Sequence, residues 1–156
     1  MFILRIKLNK KKAIISMGII LAVSLLIWYL ATSGKVMLHK GETLKDRTAY
    51  LSFLGYEMVD NYEYESEITI PEDFSQAYKE YNNKQIEAGY DLSSYKNFKA
   101  KMFSYKLKNS GMGENVFATI IVYNGNIIGG DISSMEGNFI LPLVSKSNNL
   151  ISLKES

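Results

Sequence analysis

The sequence predicts an α+β fold: an N-terminal transmembrane helix, then a small domain of two helices packed on an antiparallel sheet that ends in a three-stranded meander. Three observations predict it. Residues 13–34, AIISMGIILAVSLLIWYLATSG, form a 22-residue run without a charge. Phe74, Ala77, Tyr78, Tyr81, Gln85 and Ala88 recur at three- and four-residue steps after Pro71, the spacing of one helix face. Asn124-Gly125 joins two β-rich runs, and both residues tolerate the positive φ of a type I′ hairpin turn.

At 1.5 Å per residue the uncharged run spans about 33 Å as a helix, enough for a hydrocarbon core of about 30 Å. Helix is the conformation that satisfies its own backbone in lipid. Trp28 and Tyr29 fall near its C-terminal end, where amphipathic rings favour the interface. Residues 1–12 hold Arg5, Lys7, Lys10, Lys11 and Lys12 and no acid. Basic flanks stay in the cytosol, so the expected topology is a cytoplasmic arm over 1–12, a membrane helix over 13–34 and everything beyond it extracytoplasmic. The arm suits anionic lipid head groups. Gly18 and Ala22 form a small-xxx-small pair at which two anchors would touch. The rival reading is a signal peptide cleaved after the Ala31-Thr32-Ser33 pattern, giving a secreted form; the apolar run exceeds the usual 7–15 residues or so of such peptides.

The overall charge of +2 hides an asymmetry. Residues 35–156 hold thirteen bases against sixteen acids, a net of −3. A mildly acidic domain is not built for nucleic acid. The chain has no cysteine, which excludes disulfides, thiol catalysis and thiolate metal sites.

Residues 35–41 read as a polar stalk carrying His39, the only histidine. The domain is expected over 42–144. Thr43 and Asp46 make a helix-capping pattern, with Leu44, Leu51 and Leu54 near one face, Tyr50 beside them, and Gly55 suited to a left-handed C-terminal cap. Residues 56–70 read as extended chain with a turn at Asp60-Asn61. Within it Glu63, Glu65 and Glu67 alternate with Tyr64, Ser66 and Ile68, the period of a strand with one wet face. Three carboxylates in a row fit a solvated face, a guarded sheet edge or a hard cation such as calcium. Pro71, Glu72 and Asp73 then open a helix over 72–88, closed by Gly89. Residues 91–97 connect it to the strands with one short turn.

Along 99–108, Phe103, Tyr105 and Leu107 share one face and Ser104, Lys106 and Lys108 the other. Residues 109–114 form a glycine-bearing loop. The run 115–123, NVFATIIVY, is apolar on both faces and suits a central strand. Residues 126–133 return beside it, and Gly129-Gly130 within them marks a bulge or a close approach. That pair reads either as a place where a helix crosses closely or as one where a peptide or ligand meets bare main chain. Residues 145–156 read as a poorly ordered polar tail. The helices are expected on one face of the sheet.

MFILRIKLNKKKAI, YLSFLGYEMV, ITIPEDFSQAYKEYNNKQIEAGYDLSSYK and VYNGNIIGGDI, in this order and spacing, resemble one family. It is a domain-of-unknown-function family of short single-pass proteins from Gram-positive, mainly clostridial-type bacteria. The resemblance runs from the basic arm to about Phe139. It implies a membrane-anchored extracytoplasmic domain and no assigned activity. After Asp131 the chain departs from the pattern, which often has a cysteine where Ser133 stands.

Reactive constellations are scarce. A serine–histidine–acid triad needs a histidine inside the domain, and His39 belongs to the stalk, where it reads as a solvated residue. Zinc needs several His or Cys ligands. Gly111–Gly113 lacks the Lys-Ser/Thr of a phosphate-cradling loop. No catalytic, cofactor-binding or metal-binding residue is assigned and no cofactor is expected. Gly129, Gly130 and Asp131 are the candidate close-approach positions. The reading that follows is a non-catalytic interaction or sensing module at the cell envelope, with the lipid bilayer and an envelope or membrane protein as partners. The alternative is an envelope-directed hydrolase using carboxylates alone, for which Asp131 is the first residue to test.

Overall fold

The computed structural model describes residues 19–25, 39–60, 63–108, 110–134, 136 and 138–155. The chain divides into two units, Met1–Lys35 and Val36–Ser156. In the first, residues 19–25 are helical. The arm 1–12 and the rest of the expected span 13–34 lie outside the described residues, as does Gly18; Ala22 is within the helical stretch. Among the described residues no helix is long and apolar enough to cross a membrane.

The second unit contains helix α1 (Leu44–Phe53), strands β1 (Glu57–Met58) and β2 (Tyr64–Thr69), helix α2 (Gln76–Glu87), a 3-10 turn (Leu92–Tyr95), strands β3 (Lys99–Lys108), β4 (Val116–Tyr123), β5 (Asn126–Ser134) and β6 (Phe139–Pro142), and helix α3 (Lys146–Glu155). The strands make one antiparallel sheet in the order β1-β3-β4-β5-β6, with β2 beside β1 on the same side of β3. The expected meander is β3-β4-β5, extended at both sides. Asn124 and Gly125 at its hairpin have φ of 47° and 74°, as a type I′ turn requires.

β4 decides the layering. Val116, Ala118, Ile120 and Val122 belong to one buried cluster with Tyr50, Leu51, Phe103 and Leu143, against which Leu150 and Leu153 of α3 pack. Ile121, one position out of phase, belongs to a second cluster with Ile70, Leu92 and Ile128, against which Tyr78 and Tyr81 of α2 pack. A strand apolar on both faces exposes hydrocarbon unless both are covered. The helices therefore lie over both faces, not over one as expected.

Local chemistry explains the elements and three further departures. α1 begins with a complete capping box: the Thr43 side chain accepts from the Asp46 amide, and the Asp46 carboxylate accepts from the Thr43 amide at 3.0 Å. Leu44 is exposed, however, and the buried face is Arg47, Tyr50 and Leu51. α2 starts at Gln76 rather than 72, because Ile70 still donates to the Phe98 carbonyl and accepts from the Asn97 amide. Ser75, not Pro71, caps it by accepting from the Tyr78 amide at 3.2 Å. Its most buried side chains are Asn82 and Gln85, while Ala77 is exposed. Asn82 accepts from the Leu92 amide and donates to Asp91, so a polar pair holds the following turn.

The expected tail is ordered helix over Lys146–Glu155. Asn149 at its centre is buried and donates to the Tyr56 hydroxyl at 2.8 Å and to the Pro142 carbonyl at 3.0 Å. Burial pushes the Tyr56 phenol up to about 12 despite the Asn149 contact. The stalk is ordered from His39: the Ile127 amide donates to the His39 carbonyl, and the Gly41 amide to the Gly125 carbonyl. The His39 ring lies 4.4 Å from that of Tyr50, half-buried rather than solvated.

Gly129 and Gly130 are crowded. β5 carries one extra residue, Ile128, between the pairs Ile121↔Gly129 and Val122↔Ile127. A Cβ on Gly129 would meet Gln85 Oε1 at 2.7 Å; one on Gly130 would meet the Thr119 carbonyl oxygen at 2.2 Å and Leu143 at 2.6 Å. The helix-crossing reading holds at Gly129, and neighbouring backbone fills the space at Gly130. Gly130→Ala is expected to lower stability by roughly 2–3 kcal/mol through overpacking, and Gly129→Ala by less, because Gln85 is a flexible side chain. Urea unfolding of the full chain, followed by tyrosine circular dichroism, measures both.

Candidate functional site

Arg47 is the only arginine beyond the basic arm, and it is 4% exposed. A guanidinium has five N–H donors and loses its charge at no ordinary pH, so burial demands partners on several sides. Nε donates to the Tyr105 hydroxyl at 2.6 Å, Nη1 to the carbonyls of Gly41 and Glu42 at 2.9 Å each, and Nη2 to Glu63 at 2.8 Å. The Tyr105 hydroxyl donates in turn to Glu63. The guanidinium carbon sits 3.5 Å from the centre of the Phe103 ring. One side chain thus joins α1, the segment before it, the approach to β2, and β3. Burial opposes the charged form of Arg47, yet its bonds to Tyr105 and Glu63 outweigh this and hold its pKa above the ordinary value. Burial likewise acts to raise Glu63, and the Tyr105 and Arg47 bonds bring it below the ordinary carboxylate range.

Beside this network is an open cleft of about 410 Å³ whose walls include Glu42, Arg47, Glu65, Lys99, Lys101 and Asn124. Lys101 Nζ lies 2.7 Å from Glu65, and Lys99 Nζ 2.9 Å from Glu67. Both lysines are solvated, with side chains 63% and 72% exposed. Such surface pairs are worth about 0–1 kcal/mol and exchange readily. The glutamate row read from the sequence is therefore paired with cations along its length: Glu63 with Arg47, Glu65 with Lys101, Glu67 with Lys99. Among the described residues no group of three or more His, Cys, Asp or Glu side chains is arranged to hold a metal ion.

Asp131 is on the other face. It stands opposite Thr119, which stands opposite Ser104, a short polar row across three strands. It is 7% exposed and accepts from the Tyr81 hydroxyl at 2.9 Å. Burial raises its pKa against the lowering effect of Tyr81 and Ser133. Burial also drives the Tyr81 phenol well above its usual range, and the neighbouring carboxylate adds to this. The pair therefore acts as a neutral phenol donating to a shielded carboxyl, fastening α2 to β5. The structure brings Asp131 together with Gly129 and Gly130 on one strand, but under a helix rather than at an opening. The cleft was not foreseen from the sequence. Its one available signal was a lone arginine in a lysine-rich domain.

A family model described as a domain of unknown function (DUF4830) matches residues 51–132, from the last turn of α1 into β5. Glu65, Lys99, Lys101 and Asn124 fall inside the matched stretch; Glu42 and Arg47 precede it. No curated protein and no solved structure matches the chain.

Replacing Arg47 by Met leaves Glu63 without its cation and two carbonyls without their donor, and is expected to cost roughly 3–5 kcal/mol. Adding Glu63→Gln should restore part of that loss, which a double-mutant cycle by urea unfolding reads directly. Asp131 has a folded-state pKa raised from 3.8, so the fold binds its proton more readily than the unfolded chain does. Its ionisation therefore opposes folding as pH rises through and above that value. Asp131→Asn, which keeps an acceptor for Tyr81, is expected to raise the urea midpoint at pH 7, with the gain vanishing below about pH 4.

Proposed function

The chain belongs to the DUF4830 family, and from that premise we propose that it is a single-pass, membrane-anchored protein whose extracytoplasmic domain binds a component of the cell envelope without transforming it. The uncharged run 13–34 behind a wholly basic arm supports the anchoring and its orientation. The domain is then a recognition or sensing module, and its partner is an envelope or membrane protein or a polymer fragment displayed there.

The observation that carries the binding role is the cleft beside Arg47. Its walls come from separate stretches of chain, the segment before α1, strands β2 and β3, and the β4–β5 hairpin, and Arg47 holds the first to the third. Rigid walls with solvated, exchangeable charges suit recognition, because little ordering is required when a ligand arrives.

The test is site-specific photo-cross-linking in intact cells. A cross-linking residue in place of Asn124 or Lys101 is expected to capture one envelope component, whereas one in place of Lys79, exposed on α2, is not. Protease added outside the same cells should digest residues 39–155. Equal capture from Lys79, capture from none of the three, or protection of the domain from external protease overturns the proposal.

A further inference from the structure

The arrangement of charge in the cleft narrows the ligand. We propose that it receives a zwitterionic group, an ammonium and a carboxylate within a few ångströms of each other, as a short peptide carries. This rests on the reading of the cleft as the binding site and specifies its chemistry.

The argument is one of pairing. The two exposed lysines at the cleft are already matched: Lys101 with Glu65 at 2.7 Å and Lys99 with Glu67 at 2.9 Å. A ligand anion that draws Lys101 away leaves Glu65 without its cation. A ligand cation that draws Glu65 away leaves Lys101 without its anion. Each single-charge ligand gains one weak pair and loses another, and pairs of this exposure are worth too little to leave a surplus. A ligand with both charges opens one pair and makes two. Glu42, across the cleft at the hairpin, offers a further carboxylate to the ammonium, a single exposed pair that by itself is too weak to retain a cation; its side chain comes within 3.5 Å of a Cβ built on Gly125. Arg47 cannot be drawn away in the same manner. Four of its five N–H directions are already bonded to the protein, so it fixes the wall and supplies a steady positive field. A volume of about 410 Å³ suits a ligand of a few residues.

The same chemistry can reside on the termini of a free dipeptide or on side chains within a longer peptide, and the probes separate these. The full chain in detergent micelles, with its lysine ammoniums isotopically labelled, is titrated with alanyl-alanine, with its N-acetylated form (anion only), with its C-terminal amide (cation only), and with a doubly blocked Lys-Glu dipeptide. Saturable shifts of the Lys99 and Lys101 signals are expected for alanyl-alanine, the blocked Lys-Glu dipeptide or both, about three- to fivefold tighter than for either single-charge form. Lys101→Gln and Glu65→Gln, at solvated positions that leave the Arg47 network whole, should each weaken that binding about three- to fivefold; Lys79→Gln should not. Equal response to all four probes, response to none, or indifference to both substitutions overturns the inference. If cross-links from Lys101 and Asn124 persist in such a case, the cleft still binds an envelope component and only its assigned chemistry fails. If they are lost as well, both readings fall.

Discussion

A buried positive charge organises this domain. Arg47 cannot shed its proton, so the fold must supply acceptors wherever the guanidinium points. It does so from three stretches of chain: carbonyls 41 and 42 before α1, Glu63 before β2, and Tyr105 on β3 with Phe103 beneath. Apolar burial sets the layers, but it is indifferent to small slips of one element past another. A five-donor fork is not indifferent, and it fixes where α1 stands over the sheet. The cleft is a by-product of that fixing.

The second constraint is the double-sided β4. With hydrocarbon on both faces, it needs α1 and α3 on one side and α2 on the other. β5 beside it then has almost no room, and glycines 129 and 130 are the sequence's answer. Beside the bulge of β5, Gln85 of α2 reaches in and accepts from the Gly130 amide at 2.7 Å. This explains why the buried stripe of α2 is polar at Asn82 and Gln85 when the usual expectation is aliphatic: those positions meet open backbone, which demands hydrogen bonds before hydrocarbon.

Much of this was legible beforehand where the signal is local. The Thr43–Asp46 box, the Asn124-Gly125 turn and the alternation of Phe103, Tyr105 and Leu107 each depend on neighbours in sequence, and each appears as read. The failures share a cause. Residues 145–156 look like a polar tail, yet Asn149 is held by Tyr56 from nearly the other end of the domain, and no local pattern encodes that bond. The start of α2 shifts because Ile70 is occupied by residues 97 and 98. Leu44 loses its inward place to Arg47 because the partners of Arg47 are distant in sequence. The cleft was invisible for the same reason: Glu42, Glu65, Lys101 and Asn124 meet only after the sheet has formed.

Residues 39–41 lie along the hairpin turn and the start of β5 through two main-chain bonds, the Ile127 amide to the His39 carbonyl and the Gly41 amide to the Gly125 carbonyl. Tension arriving along the polypeptide from its N-terminal side therefore meets a graded series of fasteners. The bond at His39 is strained first, the one at Gly41 next, and only then the grip of Arg47 on carbonyls 41 and 42. The first two bonds lie outside the β4–β5 ladder, so a pull from that side reaches Arg47, and with it the cleft, only after both have opened.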